Sequence, residues 1–242
     1  MVLWFYGFSK RSRFFVPRSS FEKSGVIKFK IFYQGDTRML IKVCGLKFPK
    51  DIRVCEEIGA DLLGFIFHSD SSRYVDPETV SALPETRANK VGVFVKQAVG
   101  EVKEIMQQAK LDMAQLHGDY SPADCENIGK DRTIKVFWPE RYSDKNSFDR
   151  ELKRYSEYCR YFLFDAGIKG GGHGTCIQSE FLREMKFDNP WFLAGGLNPE
   201  NLKTLIEQYA PQGIDLNSGV EKSPGEKDEA KLRQIKFEQL SS

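Results

Sequence analysis

The sequence predicts an α/β fold, a single (β/α)8 TIM barrel, with an N-terminal extension outside the barrel. From residue 40 onward, short apolar runs alternate eight times with amphipathic stretches. Runs rich in Val, Ile, Leu and Phe that are apolar on both faces are typical of parallel strands covered by helices. Eight strand–helix units in about 200 residues, with no second long insertion, favour the closed barrel.

An open doubly wound sheet is the alternative fold for the same alternation. The first strand is not followed by the GxGxxG turn of a dinucleotide-binding sheet, which favours the barrel. No low-complexity block follows residue 39, so residues 39–242 are predicted to form one domain. At 40% hydrophobic residues, the chain can bury a substantial core.

The predicted strands are recognised by their apolar, β-branched and aromatic side chains. In chain order they are LIKVC (40–44), DLLGFIF (61–67), KVGVFV (90–95), MAQLH (113–117), TIKVFW (133–138), YFLFDA (161–166), WFLAGG (191–196) and GIDLNSG (213–219).

A helix is predicted after each strand, and start signals support three of them. Pro49 suits the first turn of a helix near 49–59, and Ser121 is a candidate N-cap before Pro122. An Asn-Pro pair begins the helix predicted in NPENLKTLIEQY. The other helices are predicted near 77–83, 98–110, 146–158, 178–185 and 227–239.

Residues 1–38 form a separate segment with its own composition. They hold eight of the 36 Lys and Arg but only two of the 34 Asp and Glu, and they show no clean period of two or 3.6. Met39 stands directly before LIKVC, so an over-extended start and a real extension are both open. The scarcity of acids, with Arg and Ser present, is also a feature of transit peptides.

The composition excludes several classes of protein. A net charge of +2 gives no argument for nucleic-acid binding, and no apolar run approaches the roughly 18 residues of a membrane span. The number of cysteines is odd and no pair has CxxC spacing, which disfavours a disulfide framework and a zinc knuckle and predicts a cytoplasmic protein. No metal-ligand spacing occurs either. The cysteines are Cys44, Cys55, Cys125, Cys159 and Cys176.

Two glycine turns follow the seventh and eighth strands, AGGLN and NSGVE. In such barrels the loops at these positions commonly bind phosphate, because glycine lets backbone N–H groups approach an anion. Each turn alone could be a tight turn and nothing more, but together they favour a phosphate site. The residues concerned are Gly195, Gly196, Ser218 and Gly219.

The glycine-rich stretch GIKGGGHGT (167–175) follows the sixth strand. Glycine gives such a segment conformational freedom and little to pack. It is either a flexible connection or a lid that closes over a substrate and excludes water.

Two strand ends carry candidate acid–base groups. Asp165 ends the apolar strand YFLFD, where it could cap the next turn; partial burial would favour its protonated form, which suits a general acid. Cys44 could be a core residue, but it stands at a strand end opposite Asp165. The phosphate-site potential and Arg73 are expected to favour its thiolate. His117 could be structural or a substrate contact.

Several motifs, in the same order along residues 40 to 238, resemble phosphoribosylanthranilate isomerase of the tryptophan pathway. The most specific are KVCG at the first strand, SSRYV in the second loop and DLNSGVEKSPGEKD near the end. QLHG, FDAG, GGHG and LAGGLNPENL add to them. The resemblance implies a (β/α)8 barrel that catalyses an Amadori rearrangement of N-(5'-phosphoribosyl)anthranilate to 1-(2-carboxyphenylamino)-1-deoxyribulose 5-phosphate.

The resemblance also implies roles for individual residues. Cys44 matches the general base and Asp165 the general acid, while Arg73 matches the arginine associated with the anthranilate carboxylate. His117 and Asp215 match substrate-contacting positions, and the four residues of the glycine turns match the phosphate site. The implied partner is a small-molecule phosphosugar, with no cofactor and no metal, since one acid and one base suffice. A monomer and a homodimer both stay open.

Two departures from the family are visible. After GGHG the family usually has Lys or Gln and an aromatic–acid stretch, whereas this chain reads TCIQSEF. Residues 1–38 have no counterpart. Two other functions therefore remain: another phosphosugar enzyme such as an indole-glycerol-phosphate synthase, which needs a lysine acid, and a ligand-binding barrel without activity. Lys42 and Lys47 flank the first strand, but neither stands at a clear strand end.

Overall fold

The structure, a computed structural model, describes residues 38–165 and 180–235. The backbone divides into two units, residues 1–36 and 37–242, and all described residues belong to the second. Several predictions therefore lie outside the described residues. They are the N-terminal extension apart from its last residue, the lid at 167–175, the altered segment with Cys176, and the ends of two predicted helices at 178–179 and 236–239.

Eight parallel strands form a closed barrel, in which each strand pairs with the next and the last pairs with the first. The predicted fold class is thereby confirmed, and the open sheet is excluded. The strands are β1 Leu40–Val43, β2 Leu62–Ile66, β3 Asn89–Phe94, β4 Met113–Leu116, β5 Thr133–Phe137, β6 Tyr161–Asp165, β7 Trp191–Ala194 and β8 Gly213–Leu216.

Helices follow most of the strands and cover the barrel. Two of the predicted start signals are confirmed: Pro49 lies in the first turn of the first helix, and Ser121 forms a capping box with Asp124. The α-helices are α1 Pro49–Glu57, α2 Pro77–Ser81, α3 Val99–Gln108, α4 Pro122–Ile128, α5 Lys145–Tyr155, α6 Leu202–Tyr209 and α7 Glu229–Gln234.

Two helix predictions are corrected by local hydrogen bonding. The Asn-Pro pair does not start α6, because the Asn198 side chain accepts hydrogen bonds from the backbone N–H groups of Glu200 and Asn201 and forms a turn instead. The helix begins only at Leu202. The described part of the helix predicted near 178–185 is a 3-10 helix, Glu180–Glu184.

A short antiparallel hairpin that was not predicted follows β8. Its strands are β9 Glu221–Ser223 and β10 Glu226–Lys227, joined at Gly225, whose φ is 86°. The hairpin takes up the start of the helix predicted near 227–239. The helix α7 begins at Glu229, where the Asp228 side chain accepts hydrogen bonds from two backbone N–H groups of the first turn.

Strand alternation sorts the side chains into two layers. On β6, Tyr161 and Leu163 belong to a cluster inside the barrel, whereas Phe162 and Phe164 pack outward among the helices. Phe164 meets Phe148 of α5 with ring centroids 5.3 Å apart. The same alternation turns the next residue, Asp165, toward the barrel interior at the C-terminal end of its strand.

Gly64 of β2 makes room for the end of β1. A Cβ at this position would lie 2.8 Å from Cys44 Sγ and 3.0 Å from Cys44 Cα. Because the second contact is with backbone, no change of side-chain rotamer could relieve it. The glycine therefore determines how closely β2 approaches the cysteine.

We predict that Gly64→Ala lowers the free energy of unfolding by about 1–3 kcal/mol, since the added methyl overpacks the barrel interior. Gly100→Ala in α3 is the control, because a Cβ there would meet nothing within 4 Å. It should leave stability unchanged or raise it by up to about 1 kcal/mol. Urea denaturation of both variants measures the difference, and equal stabilities would contradict the packing argument.

Candidate active site

A cavity of about 430 Å³ opens at the C-terminal ends of the barrel strands. This is the end at which barrels of this type carry their functional groups. Eight of the nine residues predicted for the site line this one cavity. They are Cys44, Arg73, His117, Asp165, Gly195, Gly196, Asp215 and Ser218.

Cys44 lies directly after β1 and is only 4% exposed. Its backbone N–H donates a hydrogen bond to the Leu216 carbonyl at 2.8 Å, which ties it to β8. Gly45 then turns the chain with a φ of 72°, and a Cβ there would lie 2.7 Å from the Asn217 side chain. The strand end and the glycine turn together hold the thiol at the wall of the cavity.

Cys44 was expected to favour the thiolate, but the structure favours the thiol. Burial raises the pKa of the Cys44 thiol above its ordinary value of 9.0, although the positive charge of Lys42 opposes the rise. Desolvation outweighs the favourable charges, so the thiol form prevails at neutral pH. The sequence identified the cations but could not weigh them against burial.

An ion pair that the sequence reasoning missed lies below the cavity. Lys42 Nζ and Asp215 Oδ1 are 2.8 Å apart, and the side chains are 0% and 8% exposed. Burial alone would lower the pKa of Lys42, but Asp215 and Cys44 raise it above its ordinary value, so the group stays an ammonium. One sequence feature could have predicted this pair: Lys42 is an inward-facing lysine in an otherwise apolar strand, and a buried charge at such a position requires a counter-charge.

Strand register brings this ion pair level with Asp165. Lys42 is the register partner of Asp215, Asp215 of Ala194, and Ala194 of Asp165. Two carboxyl groups and one ammonium therefore belong to one row across four neighbouring strands. The candidate acid Asp165 is itself 5% exposed.

His117 follows β4 and faces the carboxyl group of Asp165. Its Nε2 lies 3.8 Å from Asp165 Oδ2, and its Nδ1 lies 3.4 Å from Gln115 Nε2. Burial, together with the charges of Lys42 and Lys135, lowers the pKa of His117 from 6.5 to about 3. The ring is therefore neutral; since the Gln115 amide nitrogen can only donate, the ring proton is assigned to Nε2.

Arg73 reaches the cavity wall from the loop after β2 and is held by a carboxylate. Its Nε donates to Glu221 Oε1 at 3.0 Å and its Nη2 to Oε2 at 2.7 Å. Lys227 Nζ donates to the same Oε1 at 2.8 Å and to the Asn217 side chain at 3.0 Å. This cluster of Arg73, Asn217, Glu221 and Lys227 connects the loop after β2 to the hairpin after β8.

The Glu221 carboxylate is ionised in this cluster. Burial would raise the pKa of Glu221, but the Arg73 hydrogen bonds and the Lys227 charge lower it below its ordinary value. Glu221 and Lys227 belong to the motif DLNSGVEKSPGEKD, but the sequence analysis gave neither of them a role. Glu221 contacts Lys227, six residues away, and Arg73, 148 residues away. The contact with Arg73 joins separate loops, and no local sequence pattern indicates it.

The two glycine turns differ in their relation to the cavity. Gly195 and Gly196 line it and have φ values of 99° and 60°, which glycine adopts without strain. Ser218 also lines it, at the start of a 3-10 turn. Gly219 instead lies against the preceding loop, where a Cβ would be 2.0 Å from the Leu197 carbonyl oxygen. Its glycine permits the two loops to approach each other.

Residues 38–165 and 180–235 show neither a metal site nor a membrane-spanning helix. In these ranges no group of three or more His, Cys, Asp or Glu side chains could hold a metal ion. The helices in these ranges include none with the length and apolar composition that a membrane span requires. Cys55, Cys125 and Cys159 are buried free thiols away from the cavity.

The fold and the site define a class: a (β/α)8-barrel enzyme with ionisable groups gathered at the C-terminal ends of its strands. The family model described as N-(5'phosphoribosyl)anthranilate (PRA) isomerase matches residues 41–238. The chain therefore belongs to the PRA isomerase family, enzymes of tryptophan biosynthesis, as the resemblance predicted.

Individual relatives agree with this assignment. A protein of Maridesulfovibrio salexigens named N-(5'-phosphoribosyl)anthranilate isomerase is 45% identical over 194 residues, which are 80% of this chain and 95% of that one. The crystal structure of phosphoribosyl anthranilate isomerase from Thermus thermophilus is 32% identical with a TM-score of 0.72, covering 84% of this chain and 98% of the other.

A further solved structure of a phosphoribosyl anthranilate isomerase is 28% identical, with a TM-score of 0.66 over 84% of this chain and 98% of the other. It is a complex with reduced 1-(o-carboxyphenylamino)-1-deoxyribulose 5-phosphate.

We predict that His117 makes the protein less stable in acid. Its pKa in the folded state, about 3, lies below the ordinary 6.5, so between these values the unfolded chain binds a proton that the folded chain does not. The free energy of unfolding should therefore fall as pH drops from 6.5 toward 3.

Urea denaturation of His117→Asn at several pH values in this window measures the effect. The variant should show a shallower loss of stability with falling pH than the wild type. His68→Asn, at another histidine that lines the cavity, controls for the substitution. Parallel curves for the wild type and His117→Asn would contradict the prediction.

Proposed function

We propose that Asp165 is the general acid and Cys44 the general base with which this chain converts N-(5'-phosphoribosyl)anthranilate to 1-(2-carboxyphenylamino)-1-deoxyribulose 5-phosphate. The observation that carries the proposal is that both groups line one cavity from strands on different sides of it, β6 and β1. A substrate between them can accept a proton at one atom and lose one at another.

Asp165 acts first, at the furanose ring oxygen. Protonation of that oxygen breaks its bond to C1, and the amine nitrogen supplies the electron pair that forms the Schiff base. The carboxyl group of Asp165 is buried and lines the cavity, which supports its contact with a bound substrate. His117 is neutral beside it, so the imidazole can donate a hydrogen bond without competing as an acid.

Cys44 acts second: its thiolate form, which burial disfavours and the charge of Lys42 stabilises, takes the proton from C2. The electrons of the C2–H bond pass to the Schiff base and give an enolamine, which tautomerises to the ketone. One C–H bond breaks at C2, one forms at C1, and the C2 hydroxyl becomes the carbonyl. The step needs no oxidant, reductant or metal because the overall change is an isomerisation.

The remaining groups are proposed to bind the substrate. Arg73 would bind the anthranilate carboxylate with the part of its guanidinium that Glu221 leaves available, in a geometry that suits charge-assisted hydrogen bonds. His117 and Asp215 would contact the sugar. The phosphate would lie at the turns of Gly195, Gly196, Ser218 and Gly219, and the catalytic domain would be residues 39–242.

The structure gives less support to a synthase that uses a lysine acid. Lys42 is bound to Asp215 and fully buried, and its pKa is raised, so it holds its proton tightly. Neither Lys42 nor Lys47 is among the residues that line the cavity in the described part of the chain.

We predict that Cys44→Ala lowers kcat by about 10²–10⁴-fold, because the C2 proton then has no positioned base. Fluorescence turnover of freshly prepared N-(5'-phosphoribosyl)anthranilate measures it. Cys55→Ala is the matched control, since Cys55 is a buried thiol of α1 outside the cavity, and it should turn over like the wild type. Full activity in Cys44→Ala would remove Cys44 from the mechanism.

A further inference from the structure

Lys42 carries a charge where the proposed chemistry assigns it no role. Its side chain is 0% exposed and is not among the residues that line the cavity in the described part of the chain. It stands two residues before Cys44 on β1, so strand alternation turns both side chains to the barrel interior. Its ammonium donates a hydrogen bond to the Asp215 carboxylate at 2.8 Å and also interacts with the Cys44 thiol, and both of these groups line the cavity.

The ion pair is not needed to fill the barrel. Taking an ammonium and a carboxylate out of water costs several kcal/mol for each ion, and apolar replacements of such pairs are often neutral or stabilising. Leu62, the register partner of Lys42 on β2, shows that an apolar residue fits the neighbouring position. Packing therefore does not explain the buried Lys42 ammonium, whereas its effect on the neighbouring ionisable groups can.

Cys44 is the neighbour that requires a cation. A base must be a thiolate, and burial opposes that form. The charged groups that act on the thiol come from four elements: Lys42 of β1, Asp215 of β8, Lys227 of β10 and Arg73 of the loop after β2. Arg73 and Lys227 share the Glu221 carboxylate, whereas Lys42 has the largest favourable effect on the thiolate.

We propose that Lys42 is a positioning residue of the isomerisation, whose ammonium stabilises both the Cys44 thiolate that accepts the C2 proton and the Asp215 carboxylate at the cavity wall. While the thiolate exists, the ammonium is shared by two anions; once Cys44 is protonated, it returns to Asp215 alone. This inference rests on the proposed role of Cys44 as the base.

The test follows the Cys44 thiol itself rather than turnover. The rate of alkylation by iodoacetamide is measured across pH, with the Cys44 peptide quantified by mass spectrometry, in the wild type, Lys42→Met and Asp215→Asn. Lys42→Met should move the midpoint at least one pH unit higher, which is about a tenfold slower reaction at a given pH below it. Asp215→Asn should move the midpoint lower, because it removes the anion and leaves the cation.

Opposite shifts separate the electrostatic role from a structural one, since loss of packing would change both variants in the same direction. Unchanged midpoints, or shifts of the same sign, overturn the proposal. Where Lys42→Met does not fold, the neutral pair Lys42→Met/Asp215→Asn replaces it and is compared with Asp215→Asn. The double variant should react about tenfold more slowly, and an equal rate overturns the proposal.

The alkylation experiment tests the role of Lys42 and the turnover experiment tests the role of Cys44, so either role can be refuted without the other. If Cys44→Ala retains full turnover, the base is lost from the proposed function, while the effect of Lys42 on the thiol can still be measured. If Cys44→Ala is inactive and Lys42→Met alkylates like the wild type, the base stands and the role of Lys42 is refuted.

Discussion

The ion pair between Lys42 and Asp215 is the constraint on which the rest of the site depends. A 2.8 Å contact between two buried ions is stable only where both strands are held in fixed register, and β1 and β8 are joined there by barrel closure. The same register continues through Ala194 to Asp165. One row of the barrel thus carries the candidate acid, a cavity-lining carboxylate and the cation beside the candidate base.

A second set of buried charges performs a similar task in the loops. Glu221 binds both Arg73 and Lys227, so the loop after β2 and the hairpin after β8 are held against each other. Close backbone approach supports this arrangement at Gly219, where the loop after β7 comes within contact distance. Loops are more mobile than the strands and helices that they connect, and here paired charges and glycine contacts restrict their positions.

The features that could be predicted from the sequence are those that depend on local patterns of residues. Strand ends follow from apolar runs, and all predicted site residues but Gly219 line one cavity, because the strands of a barrel end on one rim. The pairs Lys42–Asp215 and Arg73–Glu221 were missed because their members are 173 and 148 residues apart. The predicted helix start at Asn198 was wrong for a different reason. Its side chain accepts hydrogen bonds from backbone N–H groups of a turn that precedes the helix.

Trapping of the Schiff base tests most directly the claim that Asp165 and Cys44 serve two successive steps. N-(5'-phosphoribosyl)anthranilate is incubated with sodium cyanoborohydride and either Cys44→Ala or Asp165→Asn, and the reduced amine is quantified by mass spectrometry against a buffer control. If the two residues serve successive steps, Cys44→Ala opens the ring and accumulates trapped amine above the control, whereas Asp165→Asn does not. Equal amounts of trapped amine in the two variants would contradict the claim.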